Sequence, residues 1–312
     1  MDVKKYRIVF MGTPIMAAEV LKTLIAEDYN IVGVVAQPDK PIGRKKIVHP
    51  VPTKIIAQKF NIPVFQPLKI RQDFATIRLW KPDLILTLAY GQIVPQELLD
   101  IPHLGCINLH GSLLPKYRGA APIQYAIING DKVTGMTLME MIDKMDAGRM
   151  FISKSVNIEK YDTLTTLTFK LTECAKKLIV EALPLYLEGK LEGKYQDESL
   201  VTFAPSIKRE EEHLDLNKNA DTIVNWIKAL NNHPGAYLYL DDYKIKIWEA
   251  HVINNLVEGE IGEIISLSKN GIVMQAKDGQ ISITSLQKEG RSQVTAIEFI
   301  NGNHDLIGKK LF

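Results

Sequence analysis

Residues 106–122 read Cys-Ile-Asn-Leu-His-Gly-Ser-Leu-Leu-Pro-Lys-Tyr-Arg-Gly-Ala-Ala-Pro. A short apolar run, Cys106–Leu109, meets His110 and then a turn rich in Gly, Ser and Pro. Such a run bounded by turn signals is the pattern of a strand. Alternate residues of a strand share a face, so Asn108 and His110 send an amide and an imidazole into one small volume. The turn that follows lets a ligand come close to backbone. A hydrogen-bond donor beside a proton-transfer group suits acyl-type transfer. An isolated histidine at a strand end is as often structural, and it is the Asn on the same face and the Gly-Ser turn that favour function.

Working outward, similar apolar runs occur at 6–11, 31–36 and 83–88. Helical patterns lie between them at 17–26, 53–60, 71–80 and 122–129. This alternation predicts an α/β domain whose parallel sheet is covered on both faces, with ligands beyond the carboxyl ends of its strands. His110 stands at such an end. A long helical stretch, 163–187, closes this half. The polar segment from Glu188 to Glu198 holds two glycines and reads as a linker. Past Lys208 the pattern changes to one helix, 220–230, with Asn219 as its expected N-cap. Five short strands follow at 236–240, 244–249, 261–266, 272–276 and 280–286, with a hairpin signal at Asp278-Gly279. They suit a small barrel, of OB type. The expected organisation is a domain over 1–188, a linker over 189–207 and a second domain over 208–312.

Composition narrows the function. The chain has 312 residues and a formal net charge of +2, so contact with nucleic acid must come from a local patch. Two distant cysteines, Cys106 and Cys174, build no disulfide or zinc framework, and a reducing compartment fits them. The seven histidines are scattered, and no metal is assigned. The start of the chain has no signal-peptide pattern and no run is apolar enough to span a membrane, so a cytoplasmic protein is expected.

Three further groups stand out. Asp146, in a loop after an apolar run from Gly135, could orient His110 and raise its basicity; Asp143 competes for that role. Residues 38–46 carry Lys40, Arg44, Lys45 and Lys46. They read either as a solvated charge run or as a basic loop gripping phosphates. Lys244 and Lys246 alternate with Ile245 and Ile247, giving one polar strand face that could meet phosphate. Gly12-Thr13-Pro14 lacks the glycine fingerprints of nucleotide sites, and Gly12 reads as permitting a tight turn and close helix packing.

Taken together, these residues resemble the folate-dependent formyltransferases over essentially the full length. The resemblance rests on Phe10-Met11-Gly12-Thr13-Pro14, Gln37-Pro38-Asp39-Lys40-Pro41 with Gly43-Arg44, Val64-Phe65-Gln66-Pro67 and Ala89-Tyr90-Gly91. It continues in Asn108-Leu109-His110-Gly111-Ser112-Leu113-Leu114-Pro115, Tyr117 to Ile123, Asp146-Ala147-Gly148 and Pro234-Gly235-Ala236-Tyr237. It implies a Rossmann-like catalytic domain followed by an OB-like domain that binds tRNA. The implied formyl donor is 10-formyltetrahydrofolate, and the implied acceptor is the methionyl initiator tRNA, used in translation initiation by a monomeric enzyme. Asn108, His110 and Asp146 match the catalytic trio: the first two stabilise the tetrahedral intermediate, and Asp146 orients His110 and assists proton transfer. Ser112, Leu113, Leu114 and Pro115 would line the folate site, with backbone of Ala89, Tyr90 and Gly91 at the pterin. Arg44, in the loop with Lys40, Lys45 and Lys46, would engage the acceptor stem, with Lys244 and Lys246 as further tRNA contacts.

Two positions depart from the family pattern: Arg149, where relatives often carry an acid, and His233, where they carry an aromatic. Charge also argues against a uniformly basic second domain, since residues 208–312 hold 12 Lys+Arg against 15 Asp+Glu. The alternative acceptors within the resemblance are a nucleotide sugar, or water in a formyl-folate hydrolase. A glycinamide-ribotide formyltransferase would resemble the first domain alone. A non-catalytic RNA-binding protein built on the same fold would have no need of the trio.

Overall fold

The computed structural model describes residues 3–42 and 47–312. Its elements, in chain order, begin with β1 (Arg7–Gly12), α1 (Ile15–Ala26), β2 (Asn30–Val35), β3 (Lys40–Ile42), β4 (Ile47–His49) and α2 (Pro52–Lys59). Next come β5 (Val64–Phe65), α3 (Ala75–Leu79), β6 (Leu84–Leu88), α4 (Gln96–Leu99), β7 (Cys106–His110) and α5 (Pro122–Ile128). They are followed by β8 (Val133–Glu140), β9 (Met150–Asn157) and α6 (Leu164–Leu187). The remainder is α7 (Ala220–Ala229), β10 (Ala236–Leu240), β11 (Tyr243–Asn254), β12 (Ile264–Ser268), β13 (Gly271–Gln275), β14 (Gln280–Lys288), β15 (Val294–Thr295) and α8 (Ala296–Asn301).

Two compact units arise, the first from 1–122, 133–157 and 168–205, the second from 123–132, 158–167 and 206–312. The first unit is built on a seven-stranded sheet in the order β5-β2-β1-β6-β7-β8-β9. Its β1, β2, β5, β6 and β7 are parallel, and β8 and β9 are antiparallel. The expected parallel sheet is therefore a parallel-dominated one with an antiparallel edge. Arg7–Gly12 and Leu84–Leu88 are apolar at nearly every position because both faces are covered, and α1 packs Ala17, Val20, Leu21 and Leu24 inward at helical spacing. A Cβ at Gly12 would stand 2.7 Å from Ala17 Cβ and from the Leu88 carbonyl, so this glycine serves close packing, as the sequence suggested. The helix expected over 71–80 forms only over Ala75–Leu79, and β9 had no strand expectation at all.

The expected linker is the main correction. Residues 194–204 run along the first unit, hydrogen-bonded to it at Lys194, Gln196, Glu198, Thr202 and Ala204. Their polarity reflects side chains that bond to that unit rather than a free tether.

The second unit is an antiparallel sheet, β10-β11-β14-β13-β12, with β15 beside β14. The end of the chain closes it. Leu311 bridges Leu240 of β10, while Lys310 bridges Glu263 just ahead of β12. Leu238, Ile245, Ile247, Met274, Ile281 and Ile283 fill the interior. His233 is exposed, outside that interior. Asn219 occupies the N-cap position of α7 in extended backbone, but its side chain makes no capping bond. Instead Asp278 Oδ1 accepts from the Ala220 amide at 2.8 Å, so the hairpin turn caps the helix from 58 residues away. Asp278→Ala is expected to cost about 1 kcal/mol, the usual worth of an N-cap; Asn219→Ala should cost less, and urea unfolding of both variants checks the order.

Candidate active site

Strand β7 presents the expected pair. Asn108 and His110 alternate with buried Ile107 and Leu109, and they lie opposite Thr87 of β6 and Thr137 of β8 respectively. The Asn108 side chain is half-buried and makes no hydrogen bond among the described residues, which leaves its amide for a ligand. His110 is buried, and its Nε2 lies 2.8 Å from the Tyr117 carbonyl oxygen. A carbonyl only accepts, so Nε2 carries the proton. That leaves Nδ1, which faces Asp146 Oδ1 at 3.6 Å.

Asp146 reaches the imidazole because of the antiparallel edge. After β8 the Met141 amide bonds the Cys106 carbonyl at 2.8 Å, and the 141–149 loop then runs along β7 to His110. Asp146 adopts φ +51°, a left-handed conformation that Asp tolerates better than most residues. Its other oxygen accepts from the Gly119 amide at 2.9 Å. Gly148 is required here, since a Cβ would fall 2.0 Å from the Glu140 carbonyl. Asp143 is exposed on the same loop, so the geometry selects Asp146 between the two candidates.

The turn after β7 is locked from within. Ser112 is fully buried and its hydroxyl donates to the Lys116 carbonyl at 2.6 Å. Thr137 donates to the Ser112 carbonyl at 2.7 Å and accepts from the Leu114 amide. Ser112 and Leu114 therefore hold the turn's shape, and Leu113 and Pro115 are its part-exposed members. Beyond β6, Ala89 and Gly91 are exposed with φ +49° and +89°, while the Tyr90 ring goes into the core between them. Burial pushes the Tyr90 phenol upward, and its hydroxyl has no hydrogen-bond partner among the described residues.

A polar cluster that composition did not single out joins the carboxyl ends of β1, β2 and β6. Thr13 donates to the Tyr90 carbonyl and accepts from the Gln37 amide, and Gln37 Nε2 donates to the same carbonyl. Gln66 donates to the Gln37 carbonyl and to Asp39. Burial pushes the Asp39 carboxyl up, but bonds from Lys54, Gln66 and the Val51 amide outweigh it and hold the group below its ordinary value. Thr13, Gln37 and Gln66 lie within motifs already quoted, but strand or helix spacing alone gives no hint of their meeting.

Of the basic candidates, Arg44, Lys45 and Lys46 lie outside the described residues, and Lys40 is exposed on β3. Lys244 and Lys246 alternate with buried Ile245 and Ile247 as expected. Both face β10: Lys244 Nζ is 3.8 Å from the Tyr237 ring centroid, and Lys246 donates to the Pro234 carbonyl and lies near Trp248.

A family model described as formyl transferase matches residues 6–183, and its C-terminal domain counterpart matches 206–304. The chain belongs to the formyl transferase family. It is 44% identical over 308 residues to the methionyl-tRNA formyltransferase of Bacillus mycoides (strain KBAB4), and 43% to that of Bacillus cereus (strain B4264), covering 98% of each chain in both cases. Its fold is similar to an N-formyltransferase from Helicobacter canadensis in complex with folinic acid and dTDP-3-aminofucose, with TM-score 0.69 at 18% identity, covering 90% of this chain and 98% of that one. It is also similar to HypX from Aquifex aeolicus in complex with tetrahydrofolic acid, with TM-score 0.66 at 18% identity over 95% of this chain; it spans only 47% of HypX. Among the described residues no helix is long and apolar enough to cross a membrane.

The Arg149 departure is neutralised locally. Arg149 Nε and Nη2 each donate to a Glu140 oxygen at 2.9 Å, closing the base of the Asp146 loop. These bonds and the guanidinium charge hold the Glu140 carboxyl below its usual value. The pair's contribution is present above the ordinary glutamate pKa of about 4.3 and is lost as pH falls through the lowered folded value. Arg149→Gln should therefore lower Tm near neutral pH, with the difference from the parent shrinking in acid; thermal melts from pH 7 to 3 check this.

Proposed function

We propose that this enzyme transfers the formyl group of 10-formyltetrahydrofolate to the amino group of methionyl initiator tRNA. The observation that carries the chemistry is the arrangement at β7: an Asn108 amide with no hydrogen bond among the described residues, on the same face as a His110 ring whose Nδ1 confronts the Asp146 carboxylate. The formyl donor supplies the one-carbon unit. Exposed backbone at Ala89 and Gly91, with part-exposed Leu113 and Pro115, would hold its reduced pterin. Similarity to the Bacillus enzymes over both domains supports the tRNA acceptor.

The acceptor amine attacks the formyl carbon, and negative charge develops on the formyl oxygen. Asn108 donates to that oxygen through its side-chain amide. The attacking nitrogen sheds one proton and the departing folate nitrogen gains one. The His110–Asp146 pair carries it: Nδ1 and the facing carboxylate take the proton from the amine and return it to the leaving nitrogen. The Tyr117 carbonyl holds the other ring nitrogen, so the imidazole cannot swing away during the exchange. Holding donor and acceptor in line adds an entropic contribution.

Asn108→Ala is expected to lower kcat by about 10²–10³-fold, the usual loss of one oxyanion donor, and His110→Ala should lower it comparably. Near-parental turnover by either variant, with folate binding intact, would remove this assignment. Acceptor choice is tested by offering methionyl initiator tRNA, uncharged tRNA and an amino-sugar nucleotide; formyl transfer to the sugar alone overturns the reading. Phosphate contacts from the 38–46 loop and from one face of an otherwise acidic second domain should give a modest fall of tRNA affinity with salt. A slope of zero in a salt titration of binding would exclude the electrostatic part.

A further inference from the structure

Gln196 lies in the stretch that reads as a linker, yet it is buried and every polar atom of its side chain is engaged. Its Nε2 donates to the Asp146 carbonyl at 2.8 Å and to the Gly148 carbonyl at 2.9 Å. Its Oε1 accepts from Arg118 Nε at 3.0 Å. Arg118 is itself buried and stands between the two residues whose backbones hold His110 and Asp146. The Tyr117 carbonyl receives His110 Nε2, and the Gly119 amide is donated to Asp146 Oδ2. The same segment fixes the backbone on both sides of Arg118. The Tyr117 amide donates to Thr202 Oγ1 at 2.9 Å, the Arg118 amide to the Thr202 carbonyl at 2.9 Å, and the Ala204 amide to the Arg118 carbonyl at 2.8 Å. The outer end of Arg118 meets Glu198, which is largely exposed.

We infer that Gln196 is a positioning residue for formyl transfer: its amide sets the distance between Asp146 and His110 by clamping the Asp146 loop to the Arg118 backbone turn. The inference rests on the functional reading above. Without the clamp, the two carbonyls at 146 and 148 lose their donors, and the loop keeps only the bond from Gly119 and an exposed Lys144–Glu198 pair as ties to the turn holding His110. Asp146 would then face the imidazole over a range of separations. Misplacement of a reacting group by about 1 Å can cost about 10²-fold in rate, while folate at 89–91 and 113–115, and tRNA on the 38–46 loop and the second domain, would be held as before.

Gln196→Met keeps the length and loses all three bonds. Gln196→Glu keeps an acceptor for Arg118 but loses both donors. Each is expected to lower kcat at least about tenfold, with KM for folate and for methionyl-tRNA within about twofold, because the reacting groups are misplaced while both substrates are still held. Glu198→Ala removes the ion pairs to Arg118 and to Lys144 of the loop but leaves the three Gln196 bonds in place, and should lower kcat less than either Gln196 variant. If the variants keep the parental kcat, or lose rate together with a raised KM for either substrate, Gln196 is merely structural and the inference fails. If one variant does not fold, the other carries the test. Absence of formyl transfer by the parental chain would instead overturn the functional reading, so the two failures are separable.

Discussion

Everything at the site depends on one hydrogen bond, from His110 Nε2 to the Tyr117 carbonyl. It fixes the tautomer, because a carbonyl can only accept, and it fixes the ring's rotation. A histidine at a strand end could otherwise turn its ring about the Cα–Cβ and Cβ–Cγ bonds and offer either nitrogen to a substrate. With Nε2 occupied, Nδ1 is the nitrogen that meets Asp146 and can exchange a proton. The carbonyl is a useful anchor only because Tyr117 is itself held. Its backbone has φ +63°, and its amide is bound to Thr202. A strained turn persists when its surroundings over-determine it, and here Thr137 and the 202–204 segment do so from two sides.

The mixed sheet follows from the same requirement. A wholly parallel sheet would carry the chain after β7 away through a crossover helix to another parallel strand. Instead β8 returns antiparallel beside β7, so that the β8–β9 loop can run back along the catalytic strand and deliver a carboxylate to its end. The Glu140–Arg149 pair closes the base of that loop and absorbs the charge that distinguishes this chain from its family's usual pattern. Close packing at Gly148 and the clamp at Gln196 complete its placement.

Much of this was legible in sequence because strand periodicity is local. Asn108 and His110 could be assigned to one face from a two-residue spacing, and the strands β1, β2, β6 and β7 from apolar runs between turn residues. The alternation of Lys244 and Lys246 with Ile245 and Ile247 was readable for the same reason. Edge strands are harder. Met150–Asn157 is half-exposed and polar on one side, so it has no continuous apolar run to announce it. The helix over 71–80 was overestimated because apolar spacing continues into a turn that does not coil.

Local pattern alone gives the α/β order of the first half, the change to short strands in the second, and an Asn-His pair on one strand face. These depend on neighbours a few residues apart. Only the tertiary structure decided that Asp146 rather than Asp143 faces the imidazole, that Asp278 rather than Asn219 caps α7, and that residues 194–204 brace the active site instead of linking two domains. These rest on bonds to groups 36 to 85 residues distant in sequence. Such bonds have no period, and any Asp, Asn or Gln could make them. Which one does so is settled by where the packed strands and turns leave a backbone amide or carbonyl in need of a partner.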